Sequence, residues 1–186
     1  MILKSLYWDV KDPAVRKEYL YEFVRNMPGR LGFLLRKKIL QKRFKRAGEN
    51  LRIHKGCRII NIENLEVGDN VHFGVDSYIQ AGGGIVIGDY TEMGPGTKIW
   101  SQTHIYDDPD SNLEGAGYEY KKVEIGKNVW IGANSFIMPG VVIEDGSVVS
   151  ACSLVGAKRW PANSIIAGNP ARRIGERGVI RKQDKP

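Results

Sequence analysis

The sequence predicts an all-β solenoid, a parallel β-helix, and two overlapping periodicities support this prediction. An apolar residue recurs at every sixth position over most of the chain between residues 53 and 155. A small or β-branched residue lies four positions after most of these apolar residues, and a glycine often follows the apolar residue directly. A fixed period of this kind is typical of coils that stack on one another and bury their interiors jointly.

The apolar positions of the repeat fall in four runs, separated by two short slips and one long interruption. The runs are Ile53, Ile59, Leu65; Val67, Phe73, Ile79, Ile85; Ile87, Met93, Ile99; and Ile125, Ile131, Ile137, Ile143, Val149, Val155. In a β-helix these side chains point inward, where the neighbouring coils cover them, while glycine gives the turns their backbone freedom. An antiparallel sandwich also has short strands and glycines, but its period-two alternation does not produce this series.

The chain before the repeat is predicted to be helical, over residues 14–25 and 30–46. In the second helix apolar residues recur at helical spacing: Leu31, Leu34, Leu35, Ile39, Leu40 and Phe44. Between Glu22 and Glu49 there are nine Lys/Arg and no acid, so much of the net charge of +7 is local to this segment. Such a segment can cap the open end of the β-helix, lie on an anionic membrane surface or bind nucleic acid. Capping is favoured, and no nucleic-acid partner is expected because no binding motif is present.

The domain organisation predicted from these patterns has three parts. Residues 1–50 form a basic helical segment, residues 51–175 the β-helix, and residues 176–186 a short C-terminal tail. Residues 105–122 interrupt the repeat with a polar stretch that contains glycine and proline. A long excursion from a rigid solenoid is more often functional than structural.

The composition indicates a globular protein that functions in the cytoplasm. Apolar residues make up 42% and charged residues 26% of the chain. No apolar run approaches the ~20 residues of a membrane span, and residues 1–10 do not have the pattern of a secretory signal. The two cysteines, Cys57 and Cys152, lie in no His/Cys cluster and are expected to be small packing residues.

Three segments carry a resemblance to a known family. They are "IWSQTHIYDDPD", "GYEYKKVEIGKNVWIGANSFIMPGVVI" and "PANSIIAGNPARRIG". Over about residues 50 to 175 the chain resembles the hexapeptide-repeat acyltransferases, most strongly the branch with maltose, galactoside and colanic-acid O-acetyltransferases. The resemblance implies a left-handed β-helix, a homotrimer, a sugar acceptor, and acetyl-CoA as acyl donor in the groove between adjacent β-helices.

His104 is the candidate general base, because it lies immediately before the excursion and matches the catalytic histidine of the family. An alcohol keeps its proton near pH 7, whereas imidazole titrates close to that pH and can accept the proton during attack. No Ser-His-Asp or Cys-His arrangement is readable. Direct transfer without a covalent enzyme intermediate is therefore the simpler hypothesis.

Four acidic residues are candidates for binding the acceptor. Asp76 stands where the resemblance implies an asparagine of the active site, and Glu119 matches an acidic residue of the family's loop. Glu119 would orient His104 or hold a sugar hydroxyl. Asp107 and Asp108 would face the acceptor. For all but Asp76, a solvated loop charge is the alternative interpretation.

Six further residues are candidates for binding acetyl-CoA: Trp130, Ala133, Ala151, Lys158, Arg172 and Arg173. The resemblance implies that the two alanines offer backbone contacts to the pantetheine arm and that Trp130 packs in the subunit groove. The three basic residues would bind the CoA phosphates by charge and hydrogen bonding. Lys158 lies in a stretch one residue longer than the family pattern. Subunit packing for Trp130 and plain solvation for the basic residues are the alternatives.

Other functions compete with transfer to a sugar hydroxyl of a surface polysaccharide or its precursor. They are N-acetylation of an amino sugar, acetylation of a xenobiotic, and a β-helix that is non-catalytic or binds a metal. A metal site would draw on His54, His72 and His104, but these lack the close histidine pair of such sites. No metal is therefore expected.

Overall fold

A computed structural model describes residues 2–110 and 112–178 of the chain. Beyond residue 178, the C-terminal tail predicted at 176–186 lies outside the described residues. Three helices come first: α1 (Ile2–Lys11), α2 (Pro13–Arg25) and α3 (Gly29–Leu40). A 3₁₀ turn at Gln41–Arg43 then leads into six coils of short strands.

The strands follow in chain order. The first three coils contain β1 (Arg46–Ala47), β2 (Arg52–Ile53), β3 (Arg58–Ile60), β4 (Leu65–Val67), β5 (His72–Phe73), β6 (Tyr78–Gln80), β7 (Ile85–Ile87), β8 (Glu92–Met93) and β9 (Lys98–Trp100). An excursion contains β10 (Gln102–His104), α4 (Leu113–Ala116) and β11 (Tyr118–Tyr120). The last coils contain β12 (Val123–Ile125), β13 (Trp130–Ile131), β14 (Phe136–Ile137), β15 (Val142–Ile143), β16 (Val148–Val149), β17 (Leu154–Val155), β18 (Arg159–Trp160), β19 (Ser164–Gly168) and β20 (Ala171–Glu176).

These strands build a left-handed parallel β-helix with three faces, as predicted. The first face consists of β1, β4, β7, β12, β15 and β18, the second of β2, β5, β8, β13, β16, β19 and the antiparallel β20, and the third of β3, β6, β9, β14 and β17. Parallel pairing aligns equivalent positions, so Met93, Ile131 and Val149 stand one above another. All the apolar positions of the repeat are buried, which confirms the core that the six-residue period predicts.

Close contact between coils explains one of the glycines that follow the apolar position. A Cβ atom on Gly132 would lie 2.4 Å from the backbone nitrogen of Ala151 in the next coil. Because real Cβ atoms do not approach a backbone atom so closely, the two coils would have to move apart. Gly156 follows Val155 in the same way, but a Cβ there would meet nothing within 4 Å.

We expect Gly132→Ala to lower the free energy of unfolding by ~1–3 kcal/mol, the usual range for overpacking a close-packed site. Thermal and chemical denaturation of the full chain measure this effect. Gly156→Ala is the matched control and should stay within ~0.5 kcal/mol of the wild type. Equal stability of the two variants would contradict the steric explanation.

The excursion leaves the third face after β9 and returns to the first face at β12. It is a hairpin, because β10 and β11 pair in antiparallel register. Its return is fixed to the coils by the backbone of Lys121, which donates to the carbonyl of Ser101 (2.9 Å) and accepts from Gly140 N–H (3.3 Å). The hairpin strands begin at Gln102, three residues before the interruption predicted at 105–122.

The N-terminal helices cover the first coil. Tyr21, Val24, Leu40 and Phe44 are buried in the same apolar cluster as the β-helix interior. The helix predicted over 30–46 is too long, because α3 ends at Leu40 and the chain extends so that Lys45 N–H donates to the carbonyl of Leu65. Pairing of β1 with β4 therefore overrides the helical periodicity. Helix α1 lies outside the predicted helices.

Within residues 2–110 and 112–178, none of the helices has the length and apolar character needed to cross a bilayer. The long basic run between Glu22 and Glu49 begins at Arg25, the last residue of α2, and continues over α3 and the chain that enters the first coil.

Candidate active site

His104 ends β10 and lies where the hairpin leaves the β-helix, at the edge between the third and first faces, here called the His104 edge. Its side chain is exposed to solvent. The imidazole lies against the phenol ring of Tyr118, with ring centroids 4.4 Å apart and planes tilted by 40°. The two residues are direct partners in the hairpin register. Contact with Tyr118 therefore restricts the orientation of the candidate base. The sequence analysis did not identify this contact, although Tyr118 lies within the segment "GYEYKK".

Glu119 does not share this side of the hairpin. It pairs with Thr103, and side chains of successive residues in a strand point to opposite sides. Its carboxylate forms an ion pair with Lys121 (Oε2–Nζ 2.8 Å), and this hydrogen bond raises the pKa of the Lys121 ammonium. The structure thus does not bring Glu119 to His104, and the predicted orienting role has no geometric support within one chain.

Asp107 and Asp108 lie in the exposed loop beyond β10. One carboxylate oxygen of Asp108 accepts the backbone N–H of Asp110 (3.0 Å), so this side chain stabilises its own loop. Asp107 lies close enough to Lys121 for its charge to contribute to the raised pKa of that lysine. Both aspartates lie in the same hairpin as His104, and their predicted role in facing the acceptor stays a prediction.

A cavity of about 220 Å³ lies farther along the His104 edge, where the chain passes from β17 to β18. Its apolar walls include Met138 and Leu154, and Lys158 and Arg172 contribute its two cations. The Lys158 ammonium lies 4.0 Å from the centroid of the Trp160 ring, a cation–π contact. The structure therefore brings together two of the three basic residues predicted to bind CoA phosphates.

Arg173 points away from this cavity, since it alternates with Arg172 along β20. Its Nε donates to the hydroxyl of Ser164 (3.2 Å), and its Nη2 lies 2.9 Å from Oε2 of Glu176. These contacts give Arg173 a structural role in the last strand pair. Its predicted part in binding phosphate therefore has no support from the geometry.

Asp76, Ala133 and Ala151 lie on a different edge, between the second and third faces, here called the Asp76 edge. Asp76 occupies a left-handed turn (φ 55°), and its backbone N–H donates to the carbonyl of Lys55 (3.1 Å). Ala133 and Ala151 lie in the corresponding turns of the fourth and fifth coils. The width of the third face, roughly 15 Å for five extended residues, separates this edge from the hairpin of the same chain.

Trp130 projects from the second face and is 56% exposed. It lines a shallow cavity together with Tyr90, Glu92, Val148 and Arg177. An exposed indole offers a flat apolar surface to a ligand or to a neighbouring subunit. Within one chain, Trp130 does not share an edge with His104.

The three histidines do not converge. His54 and His72 belong to the first two coils of the second face, where burial lowers the pKa of each imidazole. His72 instead lies beside Glu92, with Nδ1 and Oε1 3.4 Å apart. In the part of the chain that the structure describes, no group of three or more His, Cys, Asp or Glu side chains could hold a metal ion.

Two family models match the repeat. The model described as "Bacterial transferase hexapeptide (six repeats)" matches residues 122–157, and "Hexapeptide repeat of succinyl-transferase" matches residues 65–90. A curated relative, galactoside O-acetyltransferase of Lactococcus lactis, is 37% identical over 138 residues. That alignment covers 71% of this chain and 63% of the relative, less than two thirds of its length.

Solved structures extend the similarity over most of the chain. A maltose O-acetyltransferase from Clostridium difficile 630 is 31% identical, with a TM-score of 0.75 over 91% of this chain and 88% of that one. A galactoside acetyltransferase solved in complex with coenzyme A is 27% identical, with a TM-score of 0.75 over 87% of this chain and 79% of that one. The repeat, the fold and these relatives together show that the chain belongs to the hexapeptide-repeat acetyltransferase family.

Proposed function

We propose that this protein transfers the acetyl group of acetyl-CoA directly to a hydroxyl of a sugar, with His104 as the general base. The observation that carries the proposal is the arrangement along the His104 edge. An exposed imidazole, supported by Tyr118, lies on the same edge as a cavity that holds Lys158 and Arg172. The named activities of the galactoside and maltose acetyltransferases, and the coenzyme A in one of them, support the donor and the acceptor class.

In the proposed reaction, neutral His104 accepts the proton of the acceptor hydroxyl while the oxygen attacks the thioester carbonyl. The C–S bond then breaks, the acetyl group stays on the sugar oxygen, and the imidazolium returns its proton to the CoA thiolate. The Tyr118 ring limits rotation of the His104 imidazole. The imidazole is therefore already oriented when the acceptor binds, and less entropy is lost in reaching the reactive geometry. No covalent enzyme intermediate is required.

Acetyl-CoA would bind with its phosphates at Lys158 and Arg172 and its arm along the edge toward His104. The cavity lies two coils beyond the hairpin, or about 10 Å at the usual spacing between strands. Guanidinium and ammonium groups bind phosphate through charge-assisted hydrogen bonds. The apolar walls formed by Met138 and Leu154 suit the uncharged part of the ligand.

We propose a homotrimer as the active form, because the predicted site residues of one chain occupy two separated edges. A neighbouring copy that presented its Asp76 edge to the hairpin would bring Asp76, Ala133 and Ala151 opposite His104. The groove between copies would then contain both the base and the surface for the pantetheine arm.

We place this enzyme in the cytoplasm, with the N-terminal segment in peripheral contact with the inner face of the membrane.

The acceptor is proposed to be a unit of a surface polysaccharide or its precursor. Thiol release from acetyl-CoA, measured across monosaccharides, oligosaccharides, sugar nucleotides and amino sugars, tests the acceptor class. Turnover with a sugar hydroxyl and formation of an ester support the proposal. An amide product from an amino sugar, or no binding of CoA at all, would contradict it.

Removing the cations of the cavity is expected to weaken the binding of acetyl-CoA. Lys158→Ala and Arg172→Ala should each raise the KM for acetyl-CoA by about tenfold or more, since a hydrogen bond to a charged group contributes ~1.5–3 kcal/mol. Steady-state kinetics at a fixed concentration of acceptor measure the change.

Arg173→Ala is the matched control, because Arg173 is next to Arg172 in sequence but its guanidinium already donates hydrogen bonds to Ser164 and Glu176. Its KM for acetyl-CoA should stay within about twofold of the wild type. If Arg173→Ala weakens acetyl-CoA as much as Arg172→Ala does, the cavity is not the phosphate site.

A further inference from the structure

Helix α3 exposes a face that is apolar and cationic at the same time. Its inward side buries Gly32, Arg36 and Leu40 against the first coil. The opposite side consists of Arg30, Leu31, Leu34 and Lys38, which follow one another at helical spacing and are all exposed. We call these four residues the cap face.

The two leucines of the cap face are unusually exposed to solvent. Leu31 and Leu34 are each 63% exposed. Leu34 also lines a shallow groove with Gly29, Arg30 and Phe33. Apolar side chains grouped in this way typically mark a surface that another body covers.

The charge of the segment indicates what kind of partner covers this surface. Helix α3 has four basic residues and no acidic one, and the basic run continues through residues 42–46. A second copy docked face to face by two-fold symmetry would place Arg30 and Lys38 against the same cations. An anionic bilayer instead accepts the leucines among its acyl chains and attracts the cations to its headgroups.

We infer that the cap face binds the surface of an anionic phospholipid membrane, with α3 lying in the interface. This inference assigns the proposed membrane contact to four residues and to anionic lipid. It does not depend on acetyl transfer, because none of the four residues lies at the His104 edge or the Asp76 edge. The binding would hold the open end of the β-helix, covered by its helices, toward the bilayer.

Co-sedimentation of the full chain with vesicles tests the inference. The wild type should bind vesicles of phosphatidylcholine and phosphatidylglycerol (3:1) and should bind phosphatidylcholine vesicles at least about tenfold more weakly, since each cation near the surface contributes ~1 kcal/mol. Leu31→Glu with Leu34→Glu, and separately Arg30→Glu with Lys38→Glu, should each lower the partition coefficient at least about tenfold. Raising the salt concentration should weaken binding of the wild type.

Lys98→Glu with Lys122→Glu is the control for Arg30→Glu with Lys38→Glu. It lowers the net charge by the same amount, but at positions away from α3. This control should keep most of the vesicle binding, and circular dichroism should show that every variant is folded. The inference fails if the wild type does not sediment with anionic vesicles, if the control loses binding equally, or if the leucine variant changes the oligomeric state and leaves lipid binding intact. Turnover of a soluble sugar by the cap-face variants separates a failure of this inference from a failure of the proposed reaction.

Discussion

His104→Ala is expected to lower kcat/KM for acetyl transfer by at least ~10²-fold, the lower end of what a general base contributes. The substitution removes the proposed general base while leaving Lys158 and Arg172 in place. We therefore expect binding of CoA to change little. Release of CoA thiol from acetyl-CoA in the presence of the accepted sugar measures the loss.

A second histidine provides the control for this experiment. His72 lies on the second face beside Glu92, away from the hairpin, and its pKa is lowered by burial. His72→Ala should keep kcat/KM within about threefold of the wild type, and both variants should unfold near the wild-type temperature. A His104→Ala enzyme that retains most of its activity would rule out the proposed base, whatever the acceptor.

The core of this protein could be predicted from the sequence because each coil buries its side chains against the neighbouring coils of the same chain. Ile131 is covered by Met93 below and Val149 above. Val149 follows Ile131 by 18 residues, which is three six-residue repeats, whereas the excursion intervenes between Met93 and Ile131. A solenoid makes its long-range contacts at regular intervals, so the periodicity of the sequence carries the tertiary structure. The prediction from sequence failed in the segments where this regularity is lost.

The hairpin shows this failure most directly. Whether Glu119 faces His104 depends on the register of β10 and β11, and a shift of one residue would reverse the answer. The sequence between them does not fix the register. The same alternation separates Arg172 from Arg173 on β20, and the sequence alone assigned both arginines to the CoA phosphates.

The division of the site between two edges follows from counting residues along the repeat. Asp76 comes three residues after Phe73, at the turn between the second and third faces, whereas His104 follows the third face. In the proposed homotrimer, the packing of one copy against another would bring the two edges together. That packing depends on the outer surface, where the six-residue period imposes no pattern.

The N-terminal helices depend on one buried cation, and replacing it should have the largest effect on stability. Arg36 is 2% exposed, and burial lowers the pKa of its guanidinium. Its Nη1 donates to the carbonyls of Met27 (2.7 Å) and Val24 (3.1 Å), and its Nε donates to the carbonyl of Ile53 (3.0 Å) in the first coil. One side chain thus connects the end of α2, the turn after it and the β-helix.

We expect Arg36→Met to lower the free energy of unfolding by ~2–4 kcal/mol. Methionine fills much of the space, but each carbonyl that loses its donor in a buried position costs ~1–3 kcal/mol. Chemical denaturation monitored by circular dichroism measures the change. Lys38→Met places the same residue on the exposed side of the same helix and should shift stability by no more than ~0.5 kcal/mol.

Hydrogen exchange would show where the stability is lost. If Arg36 fixes the helices to the first coil, amides of α2 and α3 should lose protection in Arg36→Met before those of the central coils, whose hydrogen bonds are made within the β-helix. Uniform loss of protection along the chain would mean that the helices and coils unfold as one unit. Unchanged stability would mean that the apolar contacts of Tyr21, Leu40 and Phe44 hold the helices in place without the cation.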